Sequence, residues 1–221
     1  MTKVMPIWFC LLLVLTSCSL SSTAITDTQQ VSLNSIDLIS IDNGSTPVTV
    51  ETAADITSLE VSSNAYDHKP VFNMVRGQRD VRISASNHMI RIFNLANQPV
   101  ITVKVPLHYE GDLRINSSSG TVKINHIQSD LSVDGTSGSI ELTTERILSN
   151  IHLASTSGNI TLSVVEENPD VNWTLESRSG RRSHSLDLQH IRDNKHTSKG
   201  TTGQGTYQVH ILTKSGNISI Q

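Results

Sequence analysis

The sequence predicts an all-β protein with a single-domain β-solenoid, a parallel β-helix-like stack of roughly 20-residue rungs with Ser-Gly corners. Three observations support this fold. Ser-Gly pairs recur along the chain, aliphatic residues hold fixed positions on both sides of each pair, and apolar and polar residues alternate within each flank. The alternative is an antiparallel β meander or barrel with a hairpin tip at each Ser-Gly pair.

The repeated pair is the strongest of these signals. Successive glycines are separated by 18, 20, 22 and 36 residues, and the last interval is about two periods. The corner glycines are Gly120, Gly138, Gly158, Gly180 and Gly216. Glycine supplies a positive φ at little steric cost and serine bonds to nearby backbone groups, so each pair is predicted to form a tight corner.

The strands follow from the residues around each corner. Positions −7, −5, +2 and +4 from the glycine are aliphatic in the rungs of Gly120, Gly138, Gly158 and Gly216, sixteen residues in all. Polar residues lie between them, and a period of two indicates a strand with one buried face. The near identity of the corners favours stacking, since stacked corners have equivalent neighbours whereas hairpin tips do not.

The first residues of the chain predict export. Lys3 precedes an apolar run, Ile7 to Leu15, that is too short to span a membrane and is typical of a signal peptide. The ending Leu-Thr-Ser-Cys at residues 15–18 resembles the lipobox of bacterial lipoproteins, whose leader is removed and whose cysteine receives acyl chains such as palmitate. We therefore expect residues 1–17 to be a lipoprotein signal peptide and Cys18 to be the lipidation site.

The lipid would fix the location of the mature chain. An acylated amino terminus holds a protein at a membrane, so the membrane is the first expected partner. Ser19, rather than Asp, follows the cysteine, which resembles the pattern sorted to the outer membrane, facing the periplasm, in a cell with two membranes. Residues 18–34 are rich in Ser, Thr and Gln and are predicted to be a flexible tether, and residues 35–221 are predicted to form the solenoid domain.

Composition excludes several functions. The net charge is −3, charged residues are 17% of the chain, and no run of Lys or Arg is present, so nucleic acid is not expected as a partner. The chain has two cysteines, and Cys10 would be lost with the leader, so no disulfide is expected in the mature chain. No cofactor is predicted.

The fourth corner departs from the repeat and marks a candidate interaction loop. Positions +2 and +4 after Gly180 are polar, and polar sequence continues to about residue 206. Loops that project from rigid repeats are common recognition sites. The candidate residues are Arg181, Arg182, His184, His190, Arg192 and His196. No cysteine or HExxH pairing supports a metal site there, so we expect solvated histidines, with contact to an anionic ligand as an open alternative.

The sequence contains no recognisable catalytic pattern. No GxSxG elbow is present, and the acidic pair Glu166-Glu167 precedes Asn168-Pro169 and is typical of a turn. We therefore predict no catalytic residue. Polysaccharide-active enzymes also use parallel β-helices, so an enzyme acting on envelope polysaccharide remains the alternative function.

Several stretches carry a family resemblance. "VPLHYEGDLRINSSSGTVKI", "IHLASTSGNITL" and "GQGTYQVHILTKSGNISIQ" resemble the bacterial "putative adhesin" family of β-solenoid domains, which includes LiaG-like envelope proteins. The resemblance covers residues 35–221 and is clearest from Val105 onward. It implies a stacked β architecture and an envelope location, and it implies no catalytic residues.

The expected function is that of a non-catalytic, lipid-anchored cell-envelope protein, either an adhesin or a scaffold for envelope interactions or stress. Other envelope proteins or polymers are the expected partners. A third hypothesis is self-association through the solenoid ends, because the chain finishes on the strand "NISIQ" without a capping helix.

Overall fold

The computed structural model describes residues 25–65, 70–86 and 98–221. Strands make up all of the regular structure in these ranges. In chain order they are β1 (Ile25–Val31), β2 (Leu38–Gly44), β3 (Val48–Ala53), β4 (Leu59–Ala65), β5 (Phe72–Arg76), β6 (Asp80–Ala85), β7 (Ile101–Pro106), β8 (Asp112–Ser117), β9 (Val122–Asn125), β10 (Leu131–Gly135), β11 (Ile140–Thr144), β12 (Ile151–Ser155), β13 (Ile160–Val164), β14 (Val171–Ser177), β15 (Arg182–His184), β16 (Gln189–Asp193), β17 (Thr197–Thr202), β18 (Tyr207–Thr213) and β19 (Ile218–Ile220).

The strands form two sheets that enclose one hydrophobic core. The nine-stranded sheet has the order β1-β4-β7-β3-β9-β11-β13-β19-β15. The ten-stranded sheet has the order β16-β17-β14-β18-β12-β10-β8-β2-β6-β5. Each central rung contributes one strand to the ten-stranded sheet, turns at its corner, and contributes the next strand to the nine-stranded sheet.

Equivalent strands of neighbouring rungs pair in parallel and in register. Leu131 of β10 lies between Leu113 of β8 and Ile151 of β12, and the same alignment continues along all three strands. Strands β9, β11 and β13 are aligned in the same way on the other side of the corner. The predicted stack is therefore confirmed, and the antiparallel meander or barrel is excluded.

The aliphatic columns form the core, as predicted. All sixteen residues at positions −7, −5, +2 and +4 are buried, none more than 6% exposed. Burying one such side chain contributes about 1.5–3 kcal/mol, so the columns are the main source of stability. Trp173 of β14 joins this core with no exposed surface, and its indole Nε1 donates a hydrogen bond of 2.8 Å to Thr202 Oγ1.

The corner glycines serve close packing, and the predicted positive φ is wrong. The described glycines with a positive φ are Gly44, Gly203 and Gly205, none of which is a corner. A Cβ on Gly138 would lie 2.7 Å from the carbonyl carbon of Gly120 and would overlap the carbonyl oxygen. The rungs thus stack so closely at the corner that no side chain fits between them.

A column of buried hydroxyls supports the corners and was missed in the sequence. Three residues before the glycine, Ser155 Oγ accepts a bond of 2.8 Å from the amide of Gly158, and Thr213 Oγ1 accepts one of 2.9 Å from Gly216. Thr213 also donates to the carbonyl of Gly158 in the next rung, at 3.3 Å. The serine of each Ser-Gly pair is instead exposed. The sequence did contain a signal for this column, because the position three residues before the corner glycine holds Ser or Thr in four of the five rungs.

The rungs do not stack in chain order. The last rung, β18–β19, lies between β12–β13 and β14–β15, where β18 pairs in parallel with both β12 and β14. Strand β19 is likewise enclosed between β13 and β15. The sequence-based premise for self-association, that the final strand is an unprotected end of the solenoid, is therefore wrong.

Antiparallel strands form both ends of the stack. Strands β4 and β1 extend the nine-stranded sheet beyond β7, and β17 and β16 extend the ten-stranded sheet beyond β14. Strand β1 lies within the predicted flexible tether of residues 18–34. The folded region therefore includes residues from Ile25, and the predicted boundary at residue 35 is too late. Across the ranges given above, no helix is long and apolar enough to cross a membrane.

Candidate interaction surface

The polar segment predicted to be a projecting loop forms strands instead. Strand β15 completes the rung of Gly180, and β16 and β17 form an antiparallel hairpin at the edge of the ten-stranded sheet. The inward positions of β17 hold Ser198, Gly200 and Thr202, which are all buried. The expectation of a loop was wrong because these small polar residues replace the aliphatic alternation that identifies the other strands.

Arg182 is a structural residue rather than an interaction residue. It takes the inward +2 position of its rung, and its side chain is only 10% exposed. The guanidinium donates to the carbonyls of Asn194 at 2.8 Å and Lys195 at 3.2 Å and to Ser198 Oγ at 2.9 Å. Asp193 Oδ1 lies 3.5 Å away and completes the charge balance. Arg182 thus fastens the β16–β17 hairpin to its own rung, β14–β15.

The other five predicted residues are exposed. They are Arg181, His184, His190, Arg192 and His196. His190 has a φ of 52°, and the pairing register of β16 shifts between Gln189 and Arg192. A bulge and charged residues on an edge strand hinder pairing with a second chain. Part of the basic character of β16 therefore protects this edge.

Positive charge is concentrated in this end of the molecule. Residues 181–206 contain five Lys or Arg and two Asp, which gives this segment a formal charge of +3. Because the whole chain has a formal charge of −3, the residues outside this segment have a charge of −6. Arg192 lies directly opposite Lys199 in the hairpin. Like charges opposite each other in a ladder are unfavourable unless something else neutralises them.

The structure adds two cations that sequence analysis missed. Arg178 and Lys214 lie two residues before their corner glycines, and both are exposed. Their rungs are neighbours, since the amide of Arg178 donates to Thr213 O at 3.2 Å and that of Ser179 to Lys214 O at 3.1 Å. The hairpin brings His196 to the same corner, because its carbonyl accepts from the amide of Ser177 at 2.9 Å.

We call Arg178, Lys195, His196 and Lys214 the basic corner. All four side chains are exposed, and in the described part of the chain none of the three Lys or Arg lies within 4.0 Å of a carboxylate. The sequence could not reveal this group, because Lys214 reaches Arg178 only through the permuted order of the rungs.

A shallow groove runs beside the basic corner on the outer face of the ten-stranded sheet. Its lining combines cations, hydroxyl groups and acids: Arg178, His196 and Lys214, Thr156 and Thr197, Asp134 and Glu176. The polar groups come from five adjacent strands or their ends, at a strand spacing of about 4.8 Å. The groove is open and can accommodate an extended molecule.

A histidine pair lies next to this groove. The rings of His152 and His210 are 5.1 Å apart in an edge-to-face arrangement, and His210 Nε2 lies 3.4 Å from Glu176 Oε1 without hydrogen-bond geometry. Burial lowers the pKa of His210 from 6.5, and His152 and Lys199 lower it further, although Glu176 opposes the shift. His210 is therefore mainly neutral at neutral pH.

Two other predictions concern metal and lipid. Among the residues that the structure describes, no group of three or more His, Cys, Asp or Glu side chains is arranged to hold a metal ion. The predicted lipidation site, Cys18, and the predicted leader, residues 1–17, lie outside the described residues.

Comparisons with known proteins identify the architecture. Residues 111–221, just over half of the chain, match the model of the family described as Toastrack DUF4097. No curated protein matches this chain significantly.

Solved structures are similar over most of the chain. That of a "putative cell adhesion protein" from Clostridium sporogenes has a TM-score of 0.65 at 12% identity, covering 89% of this chain and 98% of the other. A "putative adhesin" from Bacteroides fragilis covers 90% of this chain and 99% of the other, at 14% identity and a TM-score of 0.38. The first likeness shows a shared fold, and the second is too distant to add to it.

Proposed function

Because this chain belongs to the Toastrack DUF4097 family, we propose that it is a non-catalytic, lipid-anchored cell-envelope protein that presents one end of its stack to other envelope components. The observation that carries the proposal is the placement of two features at opposite ends. Strand β1, the described strand nearest to Cys18, forms one edge of the nine-stranded sheet, and β15, beside the basic corner, forms the other. Eight strand spacings separate these edges, a distance of about 38 Å.

The anchor would hold the β1 end near the membrane. Only residues 19–24 separate Cys18 from Ile25, and six extended residues span at most about 20 Å. The basic corner would then face away from the anchoring membrane, toward the components between or beyond the membranes. Ser19 favours the periplasmic face of the outer membrane in a cell with two membranes.

The arrangement of polar groups supports a binding role. They are distributed along the rows of two extended sheets, repeated from rung to rung, rather than gathered around one reacting point. The Clostridium sporogenes protein of similar fold is named a "putative cell adhesion protein", and this name agrees with an adhesin or interaction scaffold.

The lipid anchor is tested with two cysteine variants. Cys18→Ser is expected to abolish incorporation of labelled palmitate and to release the protein from the membrane fraction, whereas Cys10→Ser, the matched control inside the leader, is expected to leave both unchanged. Continued acylation and membrane retention of Cys18→Ser would show that the protein is not anchored in this way.

The presented end is tested by crosslinking in intact envelopes. Photo-crosslinkers placed at Lys195 and His196 are expected to capture envelope components, whereas crosslinkers at Thr28 and Gln30 on β1 are expected to capture mainly the anchoring membrane. Equal products from both ends would contradict the proposed orientation.

A further inference from the structure

We propose that the groove beside the basic corner binds an extended acidic polysaccharide, with its carboxylate groups held by Arg178 and Lys214. This inference rests on the proposed function, since that function places the protein among envelope polymers. The charge, chemistry and geometry of the groove support it.

The adjacent cations of the corner favour an anionic partner. Arg178 and Lys214 occupy equivalent positions on adjacent rungs, so their backbones are about 4.8 Å apart. Neither has a carboxylate within ion-pair distance among the described residues. The two like charges therefore repel each other in the free protein, and a negatively charged group between them would remove that cost.

The polar lining favours a sugar polymer among the possible anions. Asp134 and Glu176 lie in the same groove as the cations. These carboxylates repel a simple polyanion but accept hydrogen bonds from sugar hydroxyls. Thr156 and Thr197 can donate to or accept from the same hydroxyls. A polymer that has both carboxylates and hydroxyl groups satisfies the whole set.

The geometry favours a linear molecule. Each rung presents one equivalent side chain per strand spacing, so Arg178, Lys214 and Thr156 follow one another along the stack axis rather than around a closed pocket. An extended polymer of uronic acids presents one carboxylate per sugar ring, and one ring is about as long as one strand spacing. The carboxylates of two successive rings are therefore spaced to meet Arg178 and Lys214 on their adjacent rungs.

A membrane surface fits this corner less well. Proteins that bind membrane surfaces combine basic residues with apolar side chains that enter the lipid. Within the described ranges, the large apolar side chains that are exposed are Val75, Leu148, Val165 and Ile191, and none of them lines the groove. An anionic lipid surface is the outcome that the experiment must separate from the proposal.

Binding is tested with the full chain in a neutral detergent. The probe is polygalacturonate, compared with its methyl ester, which has the same chain but no charge. We expect the ester to bind at least about tenfold more weakly, and binding to the acid to weaken with salt as counterions are released. The double variant Arg178→Gln/Lys214→Gln is expected to lose about tenfold or more in affinity for the acid.

Two control variants isolate the cause. Arg114→Gln/Lys123→Gln removes the same charge from β8 and β9, outside the groove, and is expected to bind as the unaltered protein does. Glu176→Gln is expected to weaken binding of polygalacturonate, since it replaces a charged acceptor of sugar hydroxyls with a weaker, neutral amide carbonyl. With inorganic polyphosphate, which has no sugar hydroxyls, the same change would instead tighten binding.

Three results would overturn the inference. In the first, the Arg178/Lys214 double variant binds polygalacturonate as tightly as the unaltered protein does. In the second, the protein binds the methyl ester as tightly as the acid. In the third, it prefers polyphosphate or phosphatidylglycerol vesicles to polygalacturonate. The lipid-anchor test of the proposed function is independent of this experiment. If the Cys18→Ser variant remains in the membrane fraction, the proposed function fails, whether or not the protein binds the polymer. A double variant that still fractionates with membranes but no longer binds the polymer supports both proposals.

Discussion

Replacing Gly138 with alanine tests why the corners contain glycine. The backbone of Gly138 is outside the left-handed region, so alanine is compatible with its φ. The added Cβ would lie 2.7 Å from the carbonyl carbon of Gly120. Because Cβ atoms in proteins do not approach other atoms closer than 3.0 Å, the two rungs would have to move apart. Overpacking of this kind costs about 1–3 kcal/mol.

Separation would also weaken hydrogen bonds between rungs. The amide of Ser137 donates to Ser118 O at 2.9 Å, and the amide of Ser157 donates to Thr136 O at 2.8 Å. Each such bond contributes about 1 kcal/mol. We therefore expect Gly138→Ala to lower the free energy of unfolding by about 2–4 kcal/mol.

The matched control is Gly135→Ala in the same rung. A Cβ on Gly135 would lie 3.4 Å from Ile140 Cδ1 and 3.6 Å from Ala154 O, which are ordinary contacts. Since alanine also restricts the unfolded chain, this variant is expected to be unchanged or more stable by up to about 1 kcal/mol. Urea unfolding followed by the fluorescence of the buried Trp173 measures both. Similar stability of the two variants would refute the packing explanation.

Three further predictions concern hydrogen bonds and charge. Gly135→Ser places a hydroxyl at the one gap in the buried column of hydroxyls and is expected to raise the free energy of unfolding in urea by about 0.5–1 kcal/mol. A lower free energy of unfolding would show that the column has no room for this side chain. Arg182→Gln removes the hydrogen bonds that hold the hairpin and is expected to increase hydrogen exchange of the backbone amides in β16 and β17. Arg181→Gln, which changes an exposed side chain, is the control and is expected to leave this exchange unchanged. Equal exchange rates in the two variants would contradict the role of Arg182. Because the pKa of His210 is lowered in the fold, the unfolded chain takes up the proton first as pH falls through 6.5, so stability decreases below that pH until the lowered pKa is passed. The drop in Tm between about pH 8 and about pH 5 is therefore expected to be smaller in His210→Gln than in the unaltered protein, and an equal drop would exclude this contribution.

The sequence was sufficient to predict the rung but not the order of rungs. The period-two pattern and the spacing from each glycine identified all sixteen core positions, because both depend only on local geometry. Every rung presents similar aliphatic columns to its neighbours, so the placement of β18–β19 between β12–β13 and β14–β15 left no local signal. The hairpin was missed for a related reason, since the inward residues of β17 are small and polar.

The candidate interaction surface was likewise predicted only in part. The positive charge of residues 181–206 was visible in the sequence, but the burial of Arg182 was not, because its acceptors are carbonyl groups of the hairpin turn. Arg178 and Lys214 were not recognised, since they become neighbours only when distant rungs are brought together.

The permuted position of the last rung has a consequence for biogenesis. While the chain is synthesised from its amino terminus, β14 cannot pair with its final neighbour β18, because β18 has not yet been made. The stack between β12–β13 and β14–β15 cannot be completed until residues 207–220 have been made. Completion of the stack is therefore a late, non-local event. A chain that stalls before this segment would leave unpaired edges on four strands, β12, β13, β14 and β15, for chaperones or proteases to recognise.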